Sequence, residues 1–206
     1  MGAAWEGTFT YGQAVLLILG CYGLGCFTTA YYLVRLRTGK DIRDLGSGNA
    51  GARNATRVVG RVGGAMTLVG DAGKGAVSAW AASYFGFELW VMMAAMAAVV
   101  AGHIWPAQLG FRGGKGIATA LGAVSVFDWW ITAVLLVITG LGFGFLRRLT
   151  PSGLVAVSLA PIVVLALGQP TVVFVGIGLL ATTVLFAHRT DIRSFIGHQK
   201  HGRQSG

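Results

Sequence analysis

The sequence is poor in charge and poorest in acid: charged residues make up 11% of its 206 positions, and only seven residues are Asp or Glu. Soluble domains carry about 25% charged residues, so a water-soluble globular fold is excluded. Cysteine occurs twice, at Cys21 and Cys26, inside one apolar run. Neither a disulfide framework nor a zinc site has its usual spacing there, so both read as buried small apolar residues and no metal site is expected. Lys, Arg, Asp and Glu are absent from positions 7 to 34, 89 to 111, 129 to 146 and 149 to 187. A helix crossing the bilayer needs about 20 apolar residues, and runs of this length leave no room for a soluble domain. The expected fold is an all-α integral membrane protein, with residues 1–206 forming one polytopic domain.

What charge there is lies in clumps between the apolar runs. All sixteen Lys and Arg fall at or beyond Arg35, and the net charge is +9. In a soluble protein that excess would point to nucleic acid. Here it follows the excess of basic residues in cytoplasmic loops, and no nucleic-acid partner is expected. The first run, about Tyr11 to Val34, is too long for a cleavable signal and follows Glu6 rather than a basic leader, so it predicts a retained anchor. Seven basic residues follow it (Arg35, Arg37, Lys40, Arg43, Arg53, Arg57, Arg61), which sets the N-terminus outside. The second crossing, about Val62 to Phe85, is interrupted by Gly70, Asp71, Gly73, Lys74 and Gly75 and predicts a broken or inward-facing helix. Further crossings are predicted over about Leu89 to Ile104, Ile117 to Phe127 and Trp129 to Leu146. Two more follow between Pro151 and Ala187, separated at Gly168, Gln169 and Pro170. Seven transmembrane helices then put Glu6, Glu88 and Asp128 outside and the basic clusters, with the C-terminus, in the cytoplasm. The tail from Lys200 reads as a disordered end, and no internal repeat is visible.

Of the 33 glycines, those scattered in the apolar runs suit close helix packing. Two clusters lie instead in basic segments. Gly46-Ser-Gly-Asn-Ala-Gly51 matches a dinucleotide-binding spacing but lacks room for a strand and a βαβ unit. Gly110-Phe-Arg-Gly-Gly-Lys-Gly116 approximates a nucleotide-binding P-loop, yet Leu109 stands where its first glycine belongs and Gly116 where its Ser or Thr belongs. Glycine-rich turns beside Arg112 and Lys115 still predict a phosphate cradle built on backbone amides and cations. Asp71 and Lys74, three residues apart on one helix face, are expected to neutralise each other inside the bundle. His103 and His188 sit at helix ends, and Arg147 and Arg148 read as topology determinants.

Taken together these segments are specific. Asp44-Leu-Gly-Ser-Gly-Asn-Ala-Gly-Ala-Arg-Asn-Ala-Thr-Arg57, Gly70-Asp-Ala-Gly-Lys-Gly75, Gly102-His-Ile-Trp-Pro106 with Gly110 to Thr119, and His188-Arg189 resemble the bacterial acyl-phosphate:glycerol-3-phosphate acyltransferases, the PlsY family. The resemblance covers nearly the whole chain. It implies transfer of a fatty acyl group from acyl phosphate to the 1-hydroxyl of glycerol 3-phosphate, giving lysophosphatidic acid and phosphate. It implies no cofactor, no CoA and no acyl carrier protein, and a multi-pass location in the bacterial inner membrane with a cytoplasmic active site. The implied catalytic residues are Ser47, Arg57, His188 and Asp191. Gly113, Gly114, Lys115 and Gly116 match the family's phosphate-binding motif, and the candidate phosphate-binding set adds Gly48, Asn49, Arg53, Asn54, Lys74, His103 and Arg112. The family has Thr where Arg53 stands, Asn where Asp191 stands and Glu where Gln199 stands. Arg53 and Asp191 change the charge by opposite signs and are expected to pair.

A transporter or binding protein for a small phosphorylated solute is a competing reading, since broken glycine-rich helices also serve transport, and a family member with a different acceptor is another. Cysteines introduced singly at positions 88 and 128 should be labelled by an impermeant maleimide from outside. One at position 147 should be labelled only after permeabilisation, and the reverse pattern would invert the topology.

Overall fold

The computed structural model describes the backbone of residues 10–202 and the side chains of residues 10–195, and no strand occurs among them. Glu6 and the side chains of Gln199 and Lys200 lie outside the described residues. The helices are α1 (Tyr11–Cys26), α2 (Thr29–Thr38), α3 (Ala52–Tyr84), α4 (Leu89–Ile104), α5 (Ile117–Phe127), α6 (Trp129–Leu146), α7 (Leu149–Ala166), α8 (Thr171–Ala187) and α9 (Arg189–Gly202). Short 3-10 turns cover Ile42–Asp44 and Ala107–Leu109. Four helical stretches are long and apolar enough to cross a bilayer: Tyr11–Thr38, Leu89–Leu109, Trp129–Leu146 and Leu149–Ala166. A fifth candidate is α8 with the start of α9, bent by 62°.

The charge-free runs and the helices agree closely over α4, α5 and α6. α4 is the centre of the bundle: Val91, Met93, Ala95, Met96, Val99 and Val100 are buried, and α1, α3, α5 and α8 all pack on it. Small residues permit the closest approaches, as in other membrane helices. A Cβ at Gly25 would fall on the Val99 carbonyl oxygen, and one at Gly102 on that of Tyr22. α6 lies at the periphery, with Ile131 and Thr132 its buried residues. Leu136, Val137, Leu141 and Phe145 on it are exposed, an apolar surface suited to hydrocarbon.

The expected interruption falls elsewhere. The second crossing is not interrupted at Gly70–Gly75, because α3 runs through that segment and leaves helical geometry at Val59 and Gly60, the latter at φ +80°. Gly70 and Gly75 instead let neighbours approach: a Cβ on Gly70 would lie 2.7 Å from Thr29 Oγ1, and one on Gly75 would meet the Thr119 carbonyl. The break lies in the first crossing, where the chain is extended at Phe27 and Thr28 between α1 and α2.

That break leaves carbonyls at the end of α1 without helical partners. Lys74, from α3, donates to the carbonyls of Gly25 at 3.1 Å and Phe27 at 2.9 Å, while the Cys26 carbonyl receives Gln108 Nε2 at 2.5 Å and Thr28 Oγ1 at 3.2 Å. The ammonium is neutralised by Asp71 at 3.2 Å. It also lies 2.7 Å from His103 Nδ1, so Nδ1 accepts and the proton of the neutral ring belongs on Nε2. Thr29 Oγ1 donates to the same Asp71 oxygen at 3.1 Å. Asp71, Lys74 and His103 are 2%, 5% and 3% exposed, so charge and hydrogen bonds must balance internally. The mutual neutralisation expected of Asp71 and Lys74 is borne out.

Removing one partner of a buried ion pair costs about 3–5 kcal/mol. Lys74→Ala and Asp71→Ala should each lower the thermal midpoint of the detergent-purified protein steeply, with Lys74→Ala the worse because it also strands two carbonyls. A wild-type midpoint in either variant would refute this account of the break.

Candidate functional site

The first glycine-rich segment is shaped by one side chain. Asn54, 1% exposed in the first turn of α3, donates through Nδ2 to the carbonyls of Ile42 at 3.2 Å and Leu45 at 2.9 Å and accepts the Ser47 amide at 2.9 Å. Gly46 and Gly48 adopt φ +58° and +71°, which side chains resist. A Cβ on Gly46 would collide with Asn54 Oδ1. Asn54 therefore holds the loop from below, in contrast to the phosphate contact expected of it. The turn exposes the Ser47 side chain, and Arg57 is exposed on α3. Neither the Ser47 hydroxyl nor the Arg57 guanidinium has a protein partner among the described residues.

The second segment follows α4. Its Gly113 and Gly114 amides donate to the carbonyls of Ile104 and His103, each at 3.0 Å, which caps the C-terminus of α4. These amides are thus engaged, and the glycines serve close packing. A Cβ on Gly113 would strike the His103 carbonyl, and one on Gly114 would strike His103 Nε2. The backbone donors of the described segment that remain are those of Arg112, Lys115 and Gly116 and of the first turn of α5, a helix N-terminus with its favourable field for anions. Arg112 is exposed beside them. Lys74 and His103, expected to bind phosphate, lie beneath this loop with Lys74 Nζ and His103 Nδ1 committed to the buried network.

Arg43 joins the two segments, and the sequence reading passed it over. It donates from Nε and Nη2 to Asp41, at 2.6 Å for the shortest contact, and from Nη1 to the Leu109 carbonyl at 2.5 Å. Its guanidinium also lies 5.5 Å from the centre of the Tyr31 ring. Hydrogen bonding to Arg43 holds the Asp41 carboxyl below its ordinary value, and the same contact raises Arg43. The signal available was an acid two residues before an arginine just ahead of the first motif.

The third segment closes the arrangement from the junction of α8 and α9. His188, 4% exposed just past the end of α8, turns Nδ1 to the Val184 carbonyl at 2.9 Å. The other nitrogen, Nε2, faces Asp191 at 4.0 Å. Burial pushes this imidazole below its ordinary 6.5; Lys115 acts in the same sense, and the Val184 carbonyl and Asp191 oppose. Asp191 pairs with Lys115 at 2.5 Å. The expected pairing of Arg53 with Asp191 is not found: Arg53 Nη1 donates to Thr150 Oγ1 at 3.1 Å, at the start of α7. Both partner choices follow from position, because Lys115 lies within reach of α9 and Arg53 is directed to α7.

Arg53 and Asp191 also line a cavity of about 1470 Å³ bounded by α3, α5, α6, α7, α8 and α9. Arg147 and Arg148 stand at the same end, while aliphatic side chains from Leu68 and Leu121 to Leu159 and Leu180 line the rest. A polar, cationic rim over an apolar cavity suits a ligand with an anionic head and a hydrocarbon chain.

A family model described as glycerol-3-phosphate acyltransferase matches residues 15–198. The chain belongs to the glycerol-3-phosphate acyltransferase family. It is 41% identical over 190 residues to glycerol-3-phosphate acyltransferase 1 of Desulfitobacterium hafniense (strain Y51), covering 92% of this chain and 94% of that one. Against the glycerol-3-phosphate acyltransferase of Syntrophomonas wolfei it is 38% identical over 181 residues, with coverage of 87% and 91%. The crystal structure of PlsY, an integral membrane glycerol 3-phosphate acyltransferase, in its glycerol 3-phosphate form matches with a TM-score of 0.84 at 31% identity, covering 91% of this chain and 94% of that one. Its lysophosphatidic acid form matches with a TM-score of 0.81 at 29% identity, over 91% and 93%. As a member of this acyltransferase family, the chain is an integral membrane protein whose motif segments gather at one end of a helical bundle.

Arg43→Ala should separate the two motif loops, lowering acyl transfer by about tenfold or more with the helices intact, since small misplacements at a reacting centre cost that much. Unchanged turnover would remove Arg43 from the arrangement. Gly114→Ala should lower both thermal stability and kcat, because its Cβ meets His103. An effect confined to KM would return Gly114 to an anion-binding role.

Proposed function

We propose that this chain transfers a fatty acyl group from acyl phosphate to the 1-hydroxyl of glycerol 3-phosphate, releasing lysophosphatidic acid and phosphate. The observation that carries this reading is that Arg53, Ile117 and Asp191, from the three motif segments, line one cavity with Arg147 and Arg148 at its cationic end and aliphatic side chains along the rest, with Lys115 paired to Asp191 at that end. The family membership and the glycerol 3-phosphate and lysophosphatidic acid forms of PlsY support the acceptor and the product.

The acyl chain lies in the apolar cavity, with its phosphate at the rim. Arg57 and Lys115, the Lys115 and Gly116 amides and the first turn of α5 neutralise the phosphates, with Gly48, Asn49, Arg53 and Arg112 around them. Ser47 hydrogen-bonds a phosphate or the reacting oxygen. The acceptor hydroxyl attacks the acyl carbonyl, a C–O bond forms, and the bond from the carbonyl carbon to the phosphate oxygen breaks. His188, held by Val184 with Nε2 unprotonated, accepts the hydroxyl proton and returns it to the departing phosphate. A mixed anhydride is already activated, so positioning and charge stabilisation suffice without a protein nucleophile. Neither CoA nor a carrier protein enters this scheme.

We also infer seven crossings, with the N-terminus outside and the site at the cytoplasmic face of a bacterial inner membrane. Two features support this topology. Asp128 accepts Gln169 Nε2 at 2.7 Å, which joins the α5–α6 and α7–α8 turns at the end away from the basic loops. Trp90, Trp129 and Trp130 flank that end, as interfacial aromatics do. α5, with 11 residues, extends only about 17 Å and crosses because the glycine-rich loop dips toward it. The grouping of the site at one end favours an enzyme over a transporter.

Ser47→Ala and Arg57→Ala should abolish phosphate release from acyl phosphate in the presence of glycerol 3-phosphate while leaving the thermal midpoint unchanged, as both side chains are exposed. Turnover should also persist somewhat below pH 6.5, where an ordinary imidazole would be half protonated, because the His188 base is depressed. Wild-type rates in either variant would overturn the site.

A further inference from the structure

One carboxylate stands between the two groups assigned to phosphate and to proton. Asp191 Oδ2 lies 2.5 Å from Lys115 Nζ and 4.0 Å from His188 Nε2. The three side chains come from different segments: the second loop, the end of α8 and the first turn of α9. Their mobility differs. His188 is buried and tied to the Val184 carbonyl through Nδ1, so Nε2 holds a fixed direction. The Asp191 side chain is 38% exposed and that of Lys115 is 24% exposed, which leaves both able to exchange partners.

We propose that Asp191 is a movable counter-ion. It neutralises Lys115 until a substrate phosphate takes its place, and it then faces the His188 imidazole as that ring takes up the proton of the attacking hydroxyl. This rests on the acyl-transfer reading above and adds a positioning residue to it.

The chemistry of the two contacts differs in a way that makes the exchange directional. A partly exposed Lys–Asp pair is worth little, because water competes for both charges. A phosphate bearing two negative charges offers more oxygens and can draw on the Gly116 and α5 amides as well. The second contact behaves oppositely. An unprotonated Nε2 has no hydrogen to give, so the carboxylate stands off at 4.0 Å. Once Nε2 carries the hydroxyl proton, the ring is cationic and the same carboxylate stabilises it. The proton then passes to the departing phosphate, and Asp191 is left to reclaim Lys115, which aids product release. The charged groups facing the imidazole are Asp191 and Lys115. Arg189 is adjacent in the chain, but its guanidinium is stacked 4.5 Å from the centre of the Phe186 ring. An Asn at position 191 carries no charge with which to neutralise Lys115 or balance an imidazolium.

The test compares wild type with Asp191→Asn and Asp191→Glu. Asp191→Asn should lower the KM for glycerol 3-phosphate and the inhibition constant of inorganic phosphate by roughly threefold to tenfold. It should lower kcat about tenfold or more and move the acid limb of the kcat profile to lower pH, because the imidazolium loses its carboxylate. Asp191→Glu should recover part of the kcat. Calorimetric titration of inorganic phosphate into the detergent-purified protein adds a readout that needs no turnover. Tighter phosphate binding by Asp191→Asn supports the counter-ion even if acyl transfer proves absent, a result that would sink only the acyl-transfer reading. Unchanged phosphate affinity overturns the counter-ion whatever the activity. A parallel loss of kcat, phosphate affinity and thermal midpoint would reduce Asp191 to a structural role.

Discussion

A lysine buried in a membrane bundle is the constraint around which the rest is arranged. Lys74 fills the gap between α1 and α2, satisfying carbonyls that the break leaves without helical partners, and Asp71 and His103 complete its shell. In hydrocarbon an unsatisfied backbone group costs several kcal/mol, so an interrupted helix is tolerated only where protein supplies the missing donors. The same network fixes α4, because His103 belongs to that helix. Through the His103 and Ile104 carbonyls it also fixes the turn that presents Lys115. Scaffold and motif loop thus share one set of hydrogen bonds, since the Gly113–Gly114 turn hangs on the carbonyls of the helix that carries His103.

What could be read from the sequence was governed by range. Charge-free runs bounded by Glu88, Asp128 and Arg147 delimited α4, α5 and α6, since a transmembrane helix announces itself by what it excludes. Asp71 and Lys74 were legible as a pair because their spacing on a helix suffices. The break at Phe27 and Thr28 was not legible, as nothing local marks it. Its donors, Lys74 and Gln108, come from 47 and 82 residues away. A glycine-rich, charged segment in α3 looked like the defect, when it supplied the cure for a defect elsewhere.

The site divides in the same way. Ser47, Arg57, Lys115 and His188, the residues proposed for the chemistry, stand in motifs that the sequence displays, and of these Lys115 and His188 meet beside Asp191. Asn54, Gly113, Gly114 and His103 belong to the same motifs but build the loops rather than line them. Residue type alone does not separate these duties, since a glycine that admits a phosphate and one that admits a carbonyl look alike in sequence. Arg43 escaped notice because its partner across the site is a backbone carbonyl, that of Leu109, which no residue identity records. The pairing of Arg53 with Asp191 failed for a related reason: complementary charge says that two residues could meet, but the helix each stands on decides which neighbour is within reach.

The cavity has a further consequence. Leu136, Val155 and Leu159 on α6 and α7 line it and are exposed, an apolar wall suited to hydrocarbon. A hydrocarbon-tailed donor entering there arrives by lateral diffusion within a sheet, while a water-soluble acceptor arrives from the loop end through three-dimensional solution. The two substrates then obey different concentration scales. Diluting the donor with inert lipid slows its arrival even when its amount per volume of suspension is unchanged, and the composition of the surrounding membrane becomes a kinetic variable of the protein itself.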